Sequence, residues 1–322
     1  MTVAEHWQQR IGNQRDWVWR GWQTRYTYGR ASQGNDLSNF PLILLHGFGA
    51  SIEQWRKNIP ALSQQHAVYA LDLLGFGASQ KAPVDYTVDL WVQQVYEFWQ
   101  TFIRQRVVLV GNSIGSLVCL AAAATYPEMV KGIVMLSLPD VSLRQEMIPK
   151  RLQPIVAALE GLVASPPLLK ALFQVLRKPG VIRRWASLAY ADRFAVDEEL
   201  VEIFAAPPQD EGSARTFCRL FKALSQPDFA PPVRTLLPSL EIPVLLIWGR
   251  QDRLVPPSLA PMFAALNAQI ELVEMDGAGH CPHDECPDKF NQLLLAWLEE
   301  KFPQTESILE VPATIADNCG YS

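Results

Sequence analysis

The sequence predicts an α/β protein: a mostly parallel, eight-stranded sheet with helices on both faces and an inserted helical lid. Three observations carry this. Short apolar runs that end in turn residues alternate with segments of helical periodicity, the pattern of strands joined by crossover helices. The runs are continuously apolar rather than alternating, as strands covered on both faces require. The rhythm also stops after residue 136, gives way to about a hundred residues of helical, proline-punctuated sequence, and then resumes. The expected organisation is a core of residues 1–139 and 236–301, a lid of residues 140–235, and a polar, aperiodic tail over 302–322 that is expected to be poorly ordered.

Taken in order, residues 17–20 and 23–28 are aromatic-rich runs around Gly21 and Trp22 and read as an opening hairpin. Residues 41–45 form a buried strand that runs into His46-Gly47-Phe48-Gly49, with a helix expected from about Glu53. The next strand, 67–71, ends at Asp72, and Trp91, Val95, Phe98 and Phe102 then recur at helical spacing. A strand over 107–110 leads through Gly111-Asn112-Ser113-Ile114-Gly115 into an alanine-rich helix, 116–125, stopped by Pro127. After a strand at 133–136 comes the lid. Its most apolar part, residues 155–176, is interrupted by Gly161 and by Pro166-Pro167, so it reads as two short helices rather than a membrane span. Strands at 244–248 and 270–275 and an amphipathic helix at 289–298 complete the core.

Composition narrows the classes. Apolar residues make up 49% of the chain and charged residues 19%, which describes a globular protein. A net charge of −5 argues against a nucleic-acid partner, which calls for a basic footprint. The first thirteen residues lack the apolar stretch of a secretory signal, and the five cysteines are odd in number and scattered, so an unsecreted protein in a reducing compartment is expected.

Chemistry concentrates in three places. Gly111-Asn112-Ser113-Ile114-Gly115 is a G-x-S-x-G between an apolar strand and a helix, where the turn lifts a serine above the sheet and the helix N-terminus faces a developing oxyanion. Serine is a weak nucleophile without a base, and the base needs a third group to orient it. Gly277-Ala278-Gly279-His280 supplies the base and Asp252, after the strand at 244–248, the acid; Asp140, at the end of the preceding strand, is the alternative acid. The backbone N–H groups of Phe48 and Ile114 are the expected oxyanion donors. No cofactor is required. Cys281, His283 and Cys286 crowd around His280, but their spacing matches no closed zinc site, and no metal is expected. Glu285 before Pro287 reads as a helix start, Asp72 as the organiser of the turn at Gly75 and Gly77, His46 as a structural histidine, and Trp91 and Trp99 as core.

With these motifs the chain resembles the α/β-hydrolase superfamily over about residues 17–301. More narrowly it resembles the pheophytinase and chlorophyll dephytylase branch of plants and cyanobacteria, through Gly111-Asn112-Ser113-Ile114-Gly115, Gly279-His280-Cys281-Pro282-His283-Asp284-Glu285, and the run from Asp72 to Ser79. That resemblance implies cleavage of the phytyl ester of chlorophyll or a related pigment, and with it a thylakoid setting. A general lipase or carboxylesterase is the rival enzyme, and a non-catalytic pigment or lipid carrier the rival of another class. Haloalkane dehalogenases and epoxide hydrolases use an aspartate where this chain has Ser113.

The lid adds an expectation about the substrate. Residues 141–196 carry nine Lys and Arg against three acidic residues, a net +6 that leaves −11 on the rest of the chain. Apolar helices with basic flanks suit the surface of an anionic membrane, or else a basic face in solvent over packed helices. Beneath an apolar lid a hydrophobic ester is the expected partner.

Overall fold

A computed structural model describes residues 7–31, 40–142 and 165–303. Eight strands form one sheet: β1 (Asn13–Trp19), β2 (Trp22–Gly29), β3 (Leu42–Leu45), β4 (Val68–Leu71), β5 (Val107–Asn112), β6 (Val130–Leu136), β7 (Val244–Gly249) and β8 (Ile270–Met275). Their order is β1-β2-β4-β3-β5-β6-β7-β8. The hairpin β1–β2 and its junction with β4 are antiparallel, and every other pairing is parallel. The chain therefore belongs to the α/β class with a mostly parallel eight-stranded sheet, as its apolar runs predict.

The helices are α1 (Val88–Phe102), α2 (Ile114–Thr125), α3 (Pro166–Leu176), α4 (Pro179–Ala189), α5 (Glu198–Ala205), α6 (Ser213–Ala223), α7 (Leu259–Ala264), α8 (Pro282–Glu285) and α9 (Pro287–Lys301), with single turns elsewhere. Strand alternation divides the core in two. Ile43 and Leu45 of β3 face α1 and α2 with Trp91, Val95, Phe98 and Val118, while Leu42 and Leu44 face α9 with Phe290, Leu294 and Trp297. Both faces of β3, β5 and β7 are covered, and these strands are buried along their whole length. Helix α1 begins where Thr87 accepts the Leu90 N–H at 3.1 Å, a side-chain cap ahead of an amphipathic stripe.

Several boundaries differ from expectation. Residues from Glu53 onward form a 3₁₀ turn (Ile52–Trp55) and a single α-turn (Ile59–Leu62) rather than one helix. Asp72 ties down the Ile52 N–H at 2.8 Å, and Pro60 has no N–H to continue a ladder. The hairpin begins four residues earlier, at Asn13, because cross-strand pairing extends into polar sequence. Helix α7 was not anticipated; its Pro261 occupies the first turn, where a missing N–H costs nothing. Of the two apolar helices expected over residues 155–176, the first lies outside the described residues, as does nearly all of the tail. The second is α3, and Pro166-Pro167 open it rather than interrupt it. Trp91 is fully buried, whereas Trp99 sits at the core edge, stacked on Tyr96 with its N–H given to the Gln105 carbonyl.

Candidate active site

The chain runs from β3 to β4 on one side and then crosses β3 to reach β5, so the strand order, though not the strand direction, reverses between β3 and β5. In open α/β sheets the crevice at the carboxyl ends of such strands is where ligands bind. Here it receives the loop after β3, which carries Phe48, and the turn after β5, which carries Ser113.

That turn is tight because two glycines permit it. A Cβ on Gly111 would lie 2.3 Å from the Gly115 backbone, and one on Gly115 would lie 2.3 Å from the Leu45 carbonyl oxygen. Ser113 itself adopts φ 53° and ψ −114°, a conformation that costs a non-glycine residue on the order of 1–3 kcal/mol and that the surroundings must impose. Ser116 does part of the imposing. Its buried hydroxyl lies 2.7 Å from the Gly111 carbonyl and 2.9 Å from that of Leu136, and accepts the Leu136 N–H at 3.0 Å. The Ser113 N–H is also held, by the Leu136 carbonyl at 2.8 Å.

His280 and Asp252 meet above the same strand ends. The His280 Nδ1 lies 2.8 Å from Asp252 Oδ2, and Asp252 Oδ1 accepts the N–H groups of Leu254 and Val255 at 2.8 and 2.9 Å. Asp252 is thus fixed on both oxygens, its bond to Nδ1 leaves Nε2 as the ring nitrogen open to a proton, and His280 lines the same crevice as Ser113. Asp140, the alternative acid, instead accepts the N–H and hydroxyl of Ser142 through Oδ1. The carboxylate in contact with His280 is that of Asp252.

The backbone of the His280 loop is held from below and from the inserted helices. Glu285 Oε1 accepts the N–H groups of Gly279 and Cys281, at 2.9 and 3.1 Å, on either side of His280. Its Oε2 accepts the Ala191 N–H at 2.6 Å, and the His280 N–H donates to the Ala189 carbonyl at 2.7 Å. Burial pushes the Glu285 carboxyl up, against the pull of these three N–H groups. The helix-start reading of Glu285 therefore needs correction: its N–H partners belong to the histidine loop and to the end of α4, not to the helix after Pro287. Its neighbour Asp284 is completely buried between Arg56, at 3.0 Å, Lys57 and the Tyr190 hydroxyl. Burial alone would raise Asp284, but the two cations hold it below the ordinary carboxylate value.

His46 orients the loop after β3. The Leu73 N–H donates to its Nε2 at 3.1 Å, which leaves the proton on Nδ1 to be given to the Gly47 carbonyl at 2.8 Å. Burial lowers the His46 pKa to about 4, so the ring stays neutral. A planar peptide points C=O and N–H in opposite directions, so holding the Gly47 carbonyl fixes the direction of the Phe48 N–H. Ile114, first residue of α2, has an N–H that no carbonyl of its own helix can reach. Asp72 organises the neighbouring turn: its carboxylate accepts the N–H groups of Ile52 and Ala78, and a Cβ on Gly77 would strike it at 2.2 Å.

The residues of the His/Cys cluster point apart. Cys281 receives the Gln54 amide at 3.2 Å, the His283 ring lies 4.1 Å from that of Trp55, and the Cys286 thiol faces the Gly277 carbonyl. Ser113 and His280 open instead on one cavity of about 560 Å³. Its roof is formed by Phe173, Leu176, Ile182, Trp185, Phe204 and Phe217 from the helices between β6 and β7, and among the described residues Lys81 and Arg177 are the only Lys or Arg in its lining. Lys81 is engaged there by the Gly77 and Ser79 carbonyls and by Asp210.

A strained serine after a central strand, a histidine–aspartate pair and a mostly parallel sheet define an α/β hydrolase. Residues 41–287 match the alpha/beta hydrolase fold family, and the chain belongs to it. It is a hydrolase of that family, similar to 2-hydroxymuconate semialdehyde hydrolase of Pseudomonas sp. (strain CF600), with 27% identity covering 82% of this chain and 88% of the relative. It is also similar to pimeloyl-[acyl-carrier protein] methyl ester esterase of Shewanella woodyi, 27% identical over 80% of this chain and 94% of that one. Chloroplastic pheophytinase of Arabidopsis thaliana is 24% identical over 86% of this chain and 65% of its own length. Among the described residues no helix is long and apolar enough to cross a membrane.

Proposed function

We propose that this hydrolase cleaves a carboxylic ester of a hydrophobic substrate through an acyl-enzyme at Ser113. The observation that carries the reading is the cavity: one apolar space of about 560 Å³, large enough for a long chain, with Ser113 and His280 in its wall and Asp252 paired to His280 behind it. In this mechanism Asp252 keeps the proton on His280 Nδ1, so Nε2 accepts the proton of Ser113 as its Oγ attacks the ester carbonyl. The oxyanion of the tetrahedral intermediate forms against the N–H groups of Phe48 and Ile114. Collapse breaks the bond to the leaving oxygen, which takes the proton from His280 and departs as the alcohol. Water, deprotonated by the same Nε2, then attacks the acyl carbon and releases the acid with Ser113 restored. No cofactor enters any step.

For the substrate we propose the phytyl ester of chlorophyll or a related pigment. The motifs around Ser113 and His280 support this, as does the similarity to a pheophytinase. Among its relatives, the enzyme named for a methyl ester favours the broader alternative of a general carboxylesterase. The experiment that separates them incubates the protein and its Ser113→Ala variant with chlorophyll, pheophytin and simple aryl and acyl esters, and measures released alcohol. Phytol release by the unmodified protein, reduced about 10⁴-fold or more in Ser113→Ala, is the expected result. Cleavage of simple esters without phytol release retires the pigment substrate. No hydrolysis at all, with no labelling of Ser113 by a fluorophosphonate, retires the enzyme reading in favour of a carrier.

A further inference from the structure

The helices that roof the cavity have a second, outward face. On α3, Leu168, Leu172 and Val175 recur at spacings of four and three residues, which places them on one side of the helix. They are 49%, 37% and 49% exposed, while Leu169 and Phe173 of the same helix are buried against the interior. On α4, Trp185 and Leu188 are again three apart and are 56% and 46% exposed, and Phe194 beyond it is 79% exposed. Three exposed apolar side chains, Phe48, Trp185 and Leu254, also line the cavity, so they stand at its mouth. So many large exposed apolar side chains on two successive helices beside a cavity mouth are uncommon on a protein that meets only water.

Charge indicates what would cover it. Residues 165–196 carry Lys170, Arg177, Lys178, Arg183, Arg184 and Arg193 against Asp192 alone, on a chain whose net charge is −5. Lys170, Lys178, Arg184 and Arg193 are exposed, and the Arg193 guanidinium lies over the Phe194 ring at 5.0 Å. A second copy of the chain would bring two such basic faces together, and an apolar protein partner would leave the cations without counter-charge. An anionic lipid surface satisfies both components: headgroups meet the Lys and Arg, and the aromatic and aliphatic side chains enter the acyl boundary. The remainder of the molecule, being acidic, is repelled, and the protein is thereby oriented with this face down.

We propose that the outer face of α3 and α4 docks on an anionic lipid bilayer, with the mouth of the cavity opening onto the hydrocarbon. A hydrophobic ligand then passes from lipid to cavity without crossing water. The inference is independent of the ester chemistry, and its test is made independent by using Ser113→Ala protein. Flotation with phosphatidylcholine vesicles containing phosphatidylglycerol at low salt should carry the protein upward. Omitting phosphatidylglycerol, or raising salt until the Debye length is about 4 Å, should lower the bound fraction about tenfold. Leu172→Glu with Val175→Glu should weaken partitioning at least about tenfold. Neither residue lines the cavity, so in the active protein the same pair should leave hydrolysis of a water-soluble ester unchanged. The milder pair Lys170→Gln with Arg184→Gln should reduce both binding and its salt dependence. Failure to float at low salt overturns the proposal, as does flotation unaffected by both pairs. A dimer in light scattering that the Glu pair dissociates would assign the face to a second copy instead.

Discussion

The loop that carries His280 and the helices that roof the cavity border the same space, yet they are built by opposite means. The loop is fixed by directional hydrogen bonds: Asp252 on the imidazole, Glu285 on the two flanking N–H groups, Ala189 on the backbone of His280 itself. The roof is held by side-chain packing, such as Phe173 against Phe217 at 5.2 Å, and leaves much of its apolar surface outside. Hydrogen bonds fix positions to fractions of an ångström, which proton transfer needs. Apolar packing is non-directional and tolerates exchange of one side chain for another, which suits a surface that selects substrates by bulk and hydrophobicity. The two regions meet at residues 189–191, where the end of α4 bonds to the histidine loop.

The largest effect expected on the hydrogen-bonded side concerns the acid. Asp252→Asn should lower kcat for a water-soluble ester by about 10³–10⁴-fold, because the amide no longer stabilises an imidazolium and disturbs the tautomer of His280. Asp140→Asn should stay within a few-fold of the unmodified protein, since its carboxylate serves Ser142. Steady-state kinetics on the two variants decides the matter. Equal losses would break the distinction by showing that a residue at the root of the inserted helices takes part in the chemistry.

Glu285 sharpens the comparison, because it bonds to both regions. Glu285→Gln keeps the shape but replaces one accepting oxygen with an NH₂ group that must face N–H donors. An imidazole displaced by even a fraction of an ångström loses alignment with Ser113, and kcat should fall by up to about 100-fold with KM changed less than about twofold. A role confined to stability would lower the melting temperature and leave kcat per folded molecule intact. A rise in KM for long esters with kcat preserved would show instead that Glu285 acts through the roof.

What could be seen in sequence follows the same division. Gly111 to Gly115 was legible because strand, turn and helix are contiguous, and the turn needs small residues at fixed positions. Phe48 and Ile114 were expected as oxyanion donors from their places after the strand at 41–45 and at the start of the helix that follows Ser113. Asp252 was assigned as the acid with Asp140 as its competitor, since both follow strands whose carboxyl ends reach the same edge of the sheet; the contact that separates them, Asp252 on His280, appears only in the structure. Glu285 was visible as a carboxylate that meets free N–H groups, but its partners, one of them 94 positions away, were not. The pair at Leu172 and Val175 read only as hydrophobic; which face of α3 turns outward depends on what α6 buries. Asp72 and His46, by contrast, sit where the sequence placed them, because each organises a turn within its own neighbourhood.

The smallest predicted effect concerns the floor beneath the histidine loop and its dependence on pH. His283 is completely buried beside Trp55 and Phe290, and burial lowers its pKa to about 3 from an ordinary 6.5. A histidine held neutral in the folded chain takes up its proton only on unfolding, so the unfolded state binds more protons and stability falls as pH falls. The contribution is fully present above pH 6.5 and is lost progressively as pH drops toward 3. Between about pH 7.5 and pH 5.5, His283 alone should cost about 1 kcal/mol of unfolding free energy. His283→Phe keeps an aromatic ring between Trp55 and Phe290 and removes the titrating group, so urea unfolding should show a loss over that interval smaller by about 1 kcal/mol. His46 adds a parallel dependence that this variant leaves in place. An identical pH slope in the two proteins would mean that the His283 ring already takes up its proton in the folded state. The floor of the loop would then be wetter and softer than the hydrogen bonds above it imply, and the contrast between a rigid catalytic loop and an adaptable roof would narrow.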